Sequence, residues 1–135
     1  MALYDKYQNL YKKYSDIYGD QLILFHKIGA FYEMYAYYKN QEIITLVSIM
    51  SNLNIIKKHQ KLPPSKTNYL IIGFPTVAFD KYIEKCQSKL NDLGYTLIFY
   101  NNAYEQLIFT PKIQLKDEHY DYDNWENLEE YVLEI

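Results

Sequence analysis

The sequence of 135 residues contains no arginine and a single cysteine, and it has no long apolar run. Because Cys86 has no second thiol to pair with, an internal disulfide and a cysteine zinc or redox motif are excluded, and we interpret it as a small apolar residue on a helix. No stretch approaches the roughly 18 apolar residues of a membrane span, and the first residues lack the pattern of a secretory signal. We therefore expect an intracellular protein with no membrane partner.

Sequence patterns for catalysis, metal binding and nucleotide binding are missing as well. The three histidines, His26, His59 and His119, lie far apart and have no second ligand at metal spacing. The sequence has no Gly-flanked serine nucleophile and no phosphate-binding loop of the form G-x-x-x-x-G-K-[ST]. We therefore expect a protein that is not an enzyme and that has no catalytic residue, cofactor or metal ion.

All 14 basic residues are lysines, and tyrosine occurs 17 times. This bias is typical of an AT-rich coding sequence, such as those of large DNA viruses and of some parasites and organelles, and it favours a viral or similar origin. The expected location of a viral protein is the virus factory or the virion, and the expected location otherwise is the nucleus. Lysine in place of arginine also replaces bidentate phosphate clamps with flexible point charges.

Charge is distributed unevenly along the chain. Residues 1–104 hold 12 lysines and 8 acidic residues, whereas residues 105–135 hold 2 lysines and 9 acidic residues, so the two parts carry +4 and −7. A basic body with an acidic tail fits a polyanion-binding protein, and an ordinary solvated surface fits the same numbers. We predict one domain over residues 1–111 and an acidic tail over residues 112–135. Four apolar residues predict a short amphipathic helix in the tail: Trp125, Leu128, Val132 and Ile135.

Hydrophobic periodicity predicts the elements of the body. An amphipathic helix of about four turns ends near Gly19, and another extends from Ala78 to Leu93. Residues 57–66 form a polar loop, and residues 40–53 form either a helix that leads into a strand or one irregular helix. Together these elements predict an α/β (α+β) fold, with a mixed sheet of about four to five strands and packed helices. The expected strands are residues 21–28, 69–73, 95–100 and 107–110.

Three short motifs follow one another through the body. The first is LFHKIGAFYE at residues 24–33, in which an apolar strand and a lysine precede Gly-Ala-Phe-Tyr-Glu. The second begins with GFP at residues 73–75 and continues through a helix to GY at residues 94–95, and the third is TP at residues 110–111. In their order they resemble the N-terminal mismatch-recognition domain of the MutS family of DNA mismatch repair proteins, over residues 1–111.

This resemblance implies a MutS mismatch-recognition-like fold that binds double-stranded DNA, mispaired or distorted, without catalysis. In the family, a phenylalanine wedges into the minor groove beside a mispaired base and a glutamate hydrogen-bonds that base; the matching positions are Phe31 and Glu33. An inserted ring meets least resistance at a mismatch, because unstacking is easiest there. Lys27 occupies the family's basic position. Further candidates for phosphate contact in the polar loop are Lys57, Lys58 and Lys61.

Each candidate also has a purely structural interpretation. Phe31 has the spacing of an aromatic core stripe with Tyr32, Tyr35 and Tyr38, and Glu33 and the lysines, Lys66 among them, fit solvated charges. The alternative function is a protein that keeps the fold, has lost DNA reading and binds a protein partner through its Tyr-rich surface or acidic tail. Exposure of Phe31 separates the two functions, because a buried ring cannot enter DNA.

The sequence departs from the family pattern at several positions. Ala30 stands where the family has Asp, and Thr76-Val77 stands where many members have Tyr-His. Asn101-Asn102 stands where they have Glu-Gln. Without a phosphate-binding loop, the chain cannot run a MutS repair cycle alone. Because the acidic ending differs from the family's connector domain, we expect a free-standing protein rather than an excised domain.

Overall fold

The computed structural model describes residues 2–37, 40–101 and 106–111. The acidic tail predicted for residues 112–135, with its short helix, lies outside the described residues. In chain order the elements are α1 (Leu3–Tyr18), β1 (Leu22–Ile28), β2 (Phe31–Ala36), α2 (Gln41–Ser51), β3 (Leu70–Pro75), a 3-10 turn (Thr76–Ala78), α3 (Phe79–Asp92), β4 (Thr96–Tyr100) and β5 (Gln106–Phe109).

The five strands form one mixed sheet in the order β3-β2-β1-β4-β5. β1 and β4 are parallel, and the other three neighbouring pairs are antiparallel. β1 and β2 are joined by the two-residue turn Gly29-Ala30, in which Gly29 has a φ of 59°, a conformation that favours glycine. This mixed sheet with three packed helices confirms the fold class predicted from the sequence.

Helices cover both faces of the sheet. On the face that α1 covers, called here the α1 face, Tyr7 donates a hydrogen bond of 2.7 Å from Oη to Leu24 O, and its ring contacts those of His26 and Tyr35. On the opposite face, Phe74 of β3 packs against Tyr82 of α3, with ring centroids 4.7 Å apart. Because β1 is covered on both sides, its first five residues are all buried, which explains its continuous apolar run.

Most predicted elements are confirmed with shifts of one or two residues at their ends. Residues 40–53, for which two interpretations were open, contain the single helix α2, which ends at Asn52 in the left-handed conformation. The polar loop over residues 57–66 is confirmed, since it contains no helix or strand. Cys86 is buried on α3, as expected, and burial raises the pKa of its thiol.

Candidate nucleic-acid interface

Phe31 lies at the first position of β2, directly after the turn that joins β1 to β2. Its neighbours in register are Ile28 on β1 and Pro75 on β3. The ring is exposed, with 45% of the residue surface accessible, so the core interpretation is wrong for this residue. Because β2 lies between β1 and β3, Phe31 projects from the end of an interior strand rather than from an edge strand.

The neighbours of Phe31 make this end of the sheet an exposed apolar surface. Thr76 N donates a hydrogen bond of 2.8 Å to Ala30 O, which joins the 3-10 turn to the β1–β2 turn. Val77, in the same 3-10 turn, is 94% exposed. Ala30 and Pro75 are exposed as well. We call Ala30, Phe31, Pro75 and Val77 the apolar end.

The other aromatic residues of this segment have different environments. Tyr32 and Tyr35 are buried, as the core interpretation predicted for them, whereas Tyr38 lies outside the described residues. Strand alternation explains the difference between neighbours, since Tyr32 points to the α3 side and contacts Phe79, with ring centroids 5.7 Å apart. Phe31 therefore belongs to the α1 face, at an end where it is left accessible.

Glu33 lies on the same face of β2 as Phe31, two residues further along the strand. It is partly buried and pairs in register with His26 on β1 and Gly73 on β3. Tyr35 donates a hydrogen bond of 2.5 Å from Oη to Glu33 Oε1. Burial, followed by the hydrogen bond to Glu33 and its negative charge, raises the pKa of the Tyr35 hydroxyl, so it stays protonated as the donor.

Gly73 provides the space that the Glu33 side chain occupies. A Cβ atom at position 73 would lie 3.2 Å from Glu33 Cγ and 2.9 Å from the backbone oxygen of Tyr32. The second of these contacts is shorter than real Cβ atoms adopt, and the backbone atom involved cannot move aside alone. The glycine in the GFP motif is therefore required by the close approach of β3 to β2 beside Glu33.

His26 lies beneath this site and is 6% exposed. Its ring packs edge-on against Tyr7 and Tyr35, at centroid distances of 4.8 and 4.7 Å. Burial lowers the pKa of the imidazole to about 4, so His26 is neutral at physiological pH. Its Nε2 atom has no hydrogen-bond partner among the described residues. His26 is therefore an apolar packing element of the α1 face rather than a source of charge.

Lys27 lies near Phe31 but belongs to the other face of the sheet. It pairs in register with Tyr32, and its Nζ donates a hydrogen bond of 2.9 Å to Gly29 O, in the β1–β2 turn. Lys27 and Phe31 thus flank the same turn from opposite faces. A cation is held next to the apolar end, which is the arrangement that contact with a phosphate beside an inserted ring would need.

The loop lysines lie at the other end of β3. Ile56 forms a backbone pair with Ile71, near the start of β3, whereas Phe31 pairs with Pro75 at its end. Ile71 and Pro75 are four residues apart along the strand, a distance of about 14 Å. The six candidate residues are therefore divided between two places: Phe31, Glu33 and Lys27 at one, and Lys57, Lys58 and Lys61 at the other.

Two residues of these sites were missed in the sequence. Tyr35 was considered only as a core aromatic, although its position two residues after Glu33 on a strand places both on one face. Asn68 holds the polar loop by hydrogen bonds to residues five to nine positions earlier. An asparagine beside a Pro-containing turn was a usable signal for Asn68, since its side chain commonly bonds backbone groups there.

Comparisons of the sequence with protein-family models and with curated proteins found no match. Among residues 2–37, 40–101 and 106–111, no group of three or more His, Cys, Asp or Glu side chains is placed to hold a metal ion. Over the same residues, no helix combines the length and the apolar character that crossing a membrane requires. The site is therefore interpreted from its own geometry.

Proposed function

We propose that this protein is a non-catalytic DNA-binding module that reads mispaired or distorted duplex in the manner of the MutS mismatch-recognition domain. The observation that supports this proposal is the exposed ring of Phe31 at the end of an interior strand, with Glu33 two residues further on the same face. Phe31 is the wedge, Glu33 reads the displaced base, and Lys27 contacts an adjacent phosphate.

The apolar end suits insertion between base steps. Proteins that kink DNA from the minor groove insert apolar side chains such as Phe, Ile and Pro, and they overcome an unstacking cost of about a few kcal/mol per step. Phe31 has Pro75 beside it in register, and Val77 extends the same apolar surface. The cost of unstacking is smallest where pairing is already faulty, so the same wedge favours a mismatch over a matched step.

Glu33 is suited to recognising a base rather than to increasing the overall affinity for DNA. A carboxylate is repelled by the phosphates of the backbone, and it stabilises a complex with DNA only where a base donates a hydrogen bond to it. The bond from Tyr35 occupies Oε1 and fixes the carboxylate on the Phe31 face. In the proposed complex, Oε2 accepts the hydrogen bond from the displaced base.

The proposal is tested by measuring the affinity of the protein for a matched duplex and for the same duplex with one mismatch. Wild type is expected to prefer the mismatched duplex, and F31A is expected to bind both alike. The matched control is I49A, because Ile49 is an exposed apolar residue of α2, at 74%, on the other side of the sheet from α1.

Stability is measured on the same variants. Truncation of a buried Phe costs roughly 3–5 kcal/mol, and the half-exposed Phe31 is expected to cost about 1 kcal/mol. A collapse of the melting temperature in F31A would mean that the ring is a core residue. Equal affinity of wild type for the two duplexes, or no binding at the lowest salt, would contradict the proposal and favour a protein-contact role for the apolar end.

A further inference from the structure

The net positive charge of the described residues is concentrated in one loop. Residues 57–66, KKHQKLPPSK, contain four lysines and no acidic residue, and we call them the basic loop. The described residues together hold 11 lysines and 8 acidic residues, a net charge of +3. The net charge of the basic loop, +4, is therefore larger than that of all described residues together, and the other described residues have a net charge of −1.

A buried side chain just after the basic loop bonds several of the loop's backbone groups. Asn68 is 4% exposed. Its Nδ2 donates hydrogen bonds to the backbone oxygens of His59, Leu62 and Pro63, at 3.0, 3.2 and 3.2 Å. Its Oδ1 accepts a hydrogen bond of 2.8 Å from His59 N. A loop backbone that is ordered before binding loses less conformational entropy on binding, and it keeps the four lysines close together.

The basic loop is also fixed to the rest of the domain at both ends. Before it, Ile56 and Ile71 exchange backbone hydrogen bonds of 2.9 and 2.8 Å, which attach the chain to β3. At its end, Lys66 Nζ lies 3.5 Å from Asp5 Oδ1 of α1. Lys58 and Lys66 border an open cleft of about 420 Å³ between the loop and the start of α1. The backbone of the loop thus has a fixed position relative to Phe31.

We infer that the basic loop is a second contact site, for the phosphates of a DNA duplex, on the opposite side of the domain from the apolar end. This inference rests on the proposed function for the identity of the ligand. The distance of about 14 Å along β3 corresponds to about four phosphate spacings of 3.4 Å on one strand. In this arrangement the duplex that receives Phe31 runs along β3 and passes the loop.

The chemistry of the basic loop sets what this contact contributes. Lysine ammonium groups are point charges that contact phosphates and carry no sequence information of their own. The loop therefore increases the affinity for matched and mismatched duplex by the same factor, whereas the preference between them depends on Phe31 and Glu33. The overall affinity for DNA thus depends on the basic loop, and the preference for a mismatched duplex depends on the opposite end of the domain. Variants at one end are expected to change one of the two without the other.

The test is the salt dependence of binding to a matched duplex. Each phosphate contact that is lost lowers the slope of log affinity against log salt by about 0.9, so K57Q/K58Q/K61Q is expected to lower it by about 2 to 3. The matched control is K81Q/K85Q/K89Q, which removes the same charge from three exposed lysines of α3. The control is expected to keep the slope of wild type. Equal effects of the two triple variants would overturn the inference.

A second readout uses the wild-type protein and so does not depend on folding of a variant. Acetylation of lysines, mapped by mass spectrometry, is compared with and without saturating matched duplex. Lys57, Lys58 and Lys61 are expected to be protected, and the α3 lysines are not. Protection of both groups alike, or of neither, would overturn the inference, as would the absence of any binding at low salt.

The outcomes separate this inference from the proposed function. Binding with a loop-dependent salt slope but without preference for a mismatch contradicts the proposed function and leaves the phosphate contact standing. Preference for a mismatch with no loss of slope in K57Q/K58Q/K61Q supports the proposed function and overturns the inference. Loss of slope in K57Q/K58Q/K61Q with an unchanged ratio of mismatched to matched affinity supports both.

Discussion

Tyr35 donates a hydrogen bond of 2.5 Å from Oη to Glu33 Oε1, across one intervening residue of β2. The ring of Tyr35 is fixed by Tyr7, His26 and Tyr69, whose ring centroids lie 5.1, 4.7 and 4.5 Å away. A buried ring thereby positions the carboxylate that lies beside the exposed Phe31. The Tyr35 hydroxyl group thus connects the packed rings under α1 to the carboxylate of the candidate site.

The Y35F substitution tests the role of this hydroxyl. We expect a loss of stability of about 1–2 kcal/mol, because one hydrogen bond to a charged group disappears while the ring contacts remain. We also expect a lower preference for mismatched DNA, because the carboxylate is no longer held. The matched control is Y11F, which loses the Tyr11 hydroxyl bond of 3.2 Å to Leu22 O, remote from Glu33. The same preference in both variants would contradict a positioning role.

The G73A substitution is expected to damage both stability and recognition. The added Cβ meets the Tyr32 carbonyl at 2.9 Å and Glu33 Cγ at 3.2 Å, so β3 must shift or the glutamate must move. We expect a loss of about 1–3 kcal/mol on denaturant unfolding, as for other overpacked sites. Unchanged stability in G73A would show that the strands adjust freely.

His26 is expected to make stability depend on pH below neutrality. Burial lowers the pKa of its imidazole to about 4, against about 6.5 in an unfolded chain. As the pH falls, the unfolded chain takes up the proton first. The contribution of neutral His26 to the free energy of unfolding is therefore complete above pH 6.5 and is lost as the pH falls toward 4. The loss amounts to about 3 kcal/mol in the free energy of unfolding.

Urea unfolding at a series of pH values between 4 and 7 measures this effect. H26Q has no imidazole at position 26, and its free energy of unfolding is expected to fall less than that of wild type over this range. Parallel curves for wild type and H26Q would mean that the buried ring contributes nothing to the pH dependence.

The acidic tail is predicted from the sequence to compete with DNA for the lysines of the body. Truncation after Gln114 removes eight acidic residues and one lysine, all outside the described residues. Because a tethered polyanion acts at high effective concentration, we expect the truncated protein to bind DNA several-fold more tightly at low salt, with an unchanged melting temperature. A lower melting temperature without a gain in affinity would instead identify the tail as a cover for a sheet edge.

Local patterns accounted for most elements, but β2 was not among the strands expected from the sequence. The four-turn helix before Gly19 and the strand before Gly29 follow from periodicity and from glycine at the ends. The two interpretations of residues 40–53 could not be separated, because a short apolar run fits a buried helix and a strand equally. The type and position of Asn68 indicate bonds to nearby backbone groups, but only the folded loop shows which carbonyl groups, five to nine residues earlier, it bonds.

By itself, the sequence determined most of the elements and the concentration of lysine in residues 57–66, because these depend on spacing and composition along the chain. The tertiary structure alone decided that Phe31 is exposed while Tyr32 and Tyr35 are buried, since burial depends on where α1 and α3 pack. It also decided that the lysines of residues 57–66 lie remote from Phe31, whereas Lys27 lies near it. The antiparallel pairing of β3 with β2 sets Pro75 beside Phe31 and places the loop at the opposite end of β3. Because strand pairing joins distant parts of the chain, local sequence patterns do not reveal it.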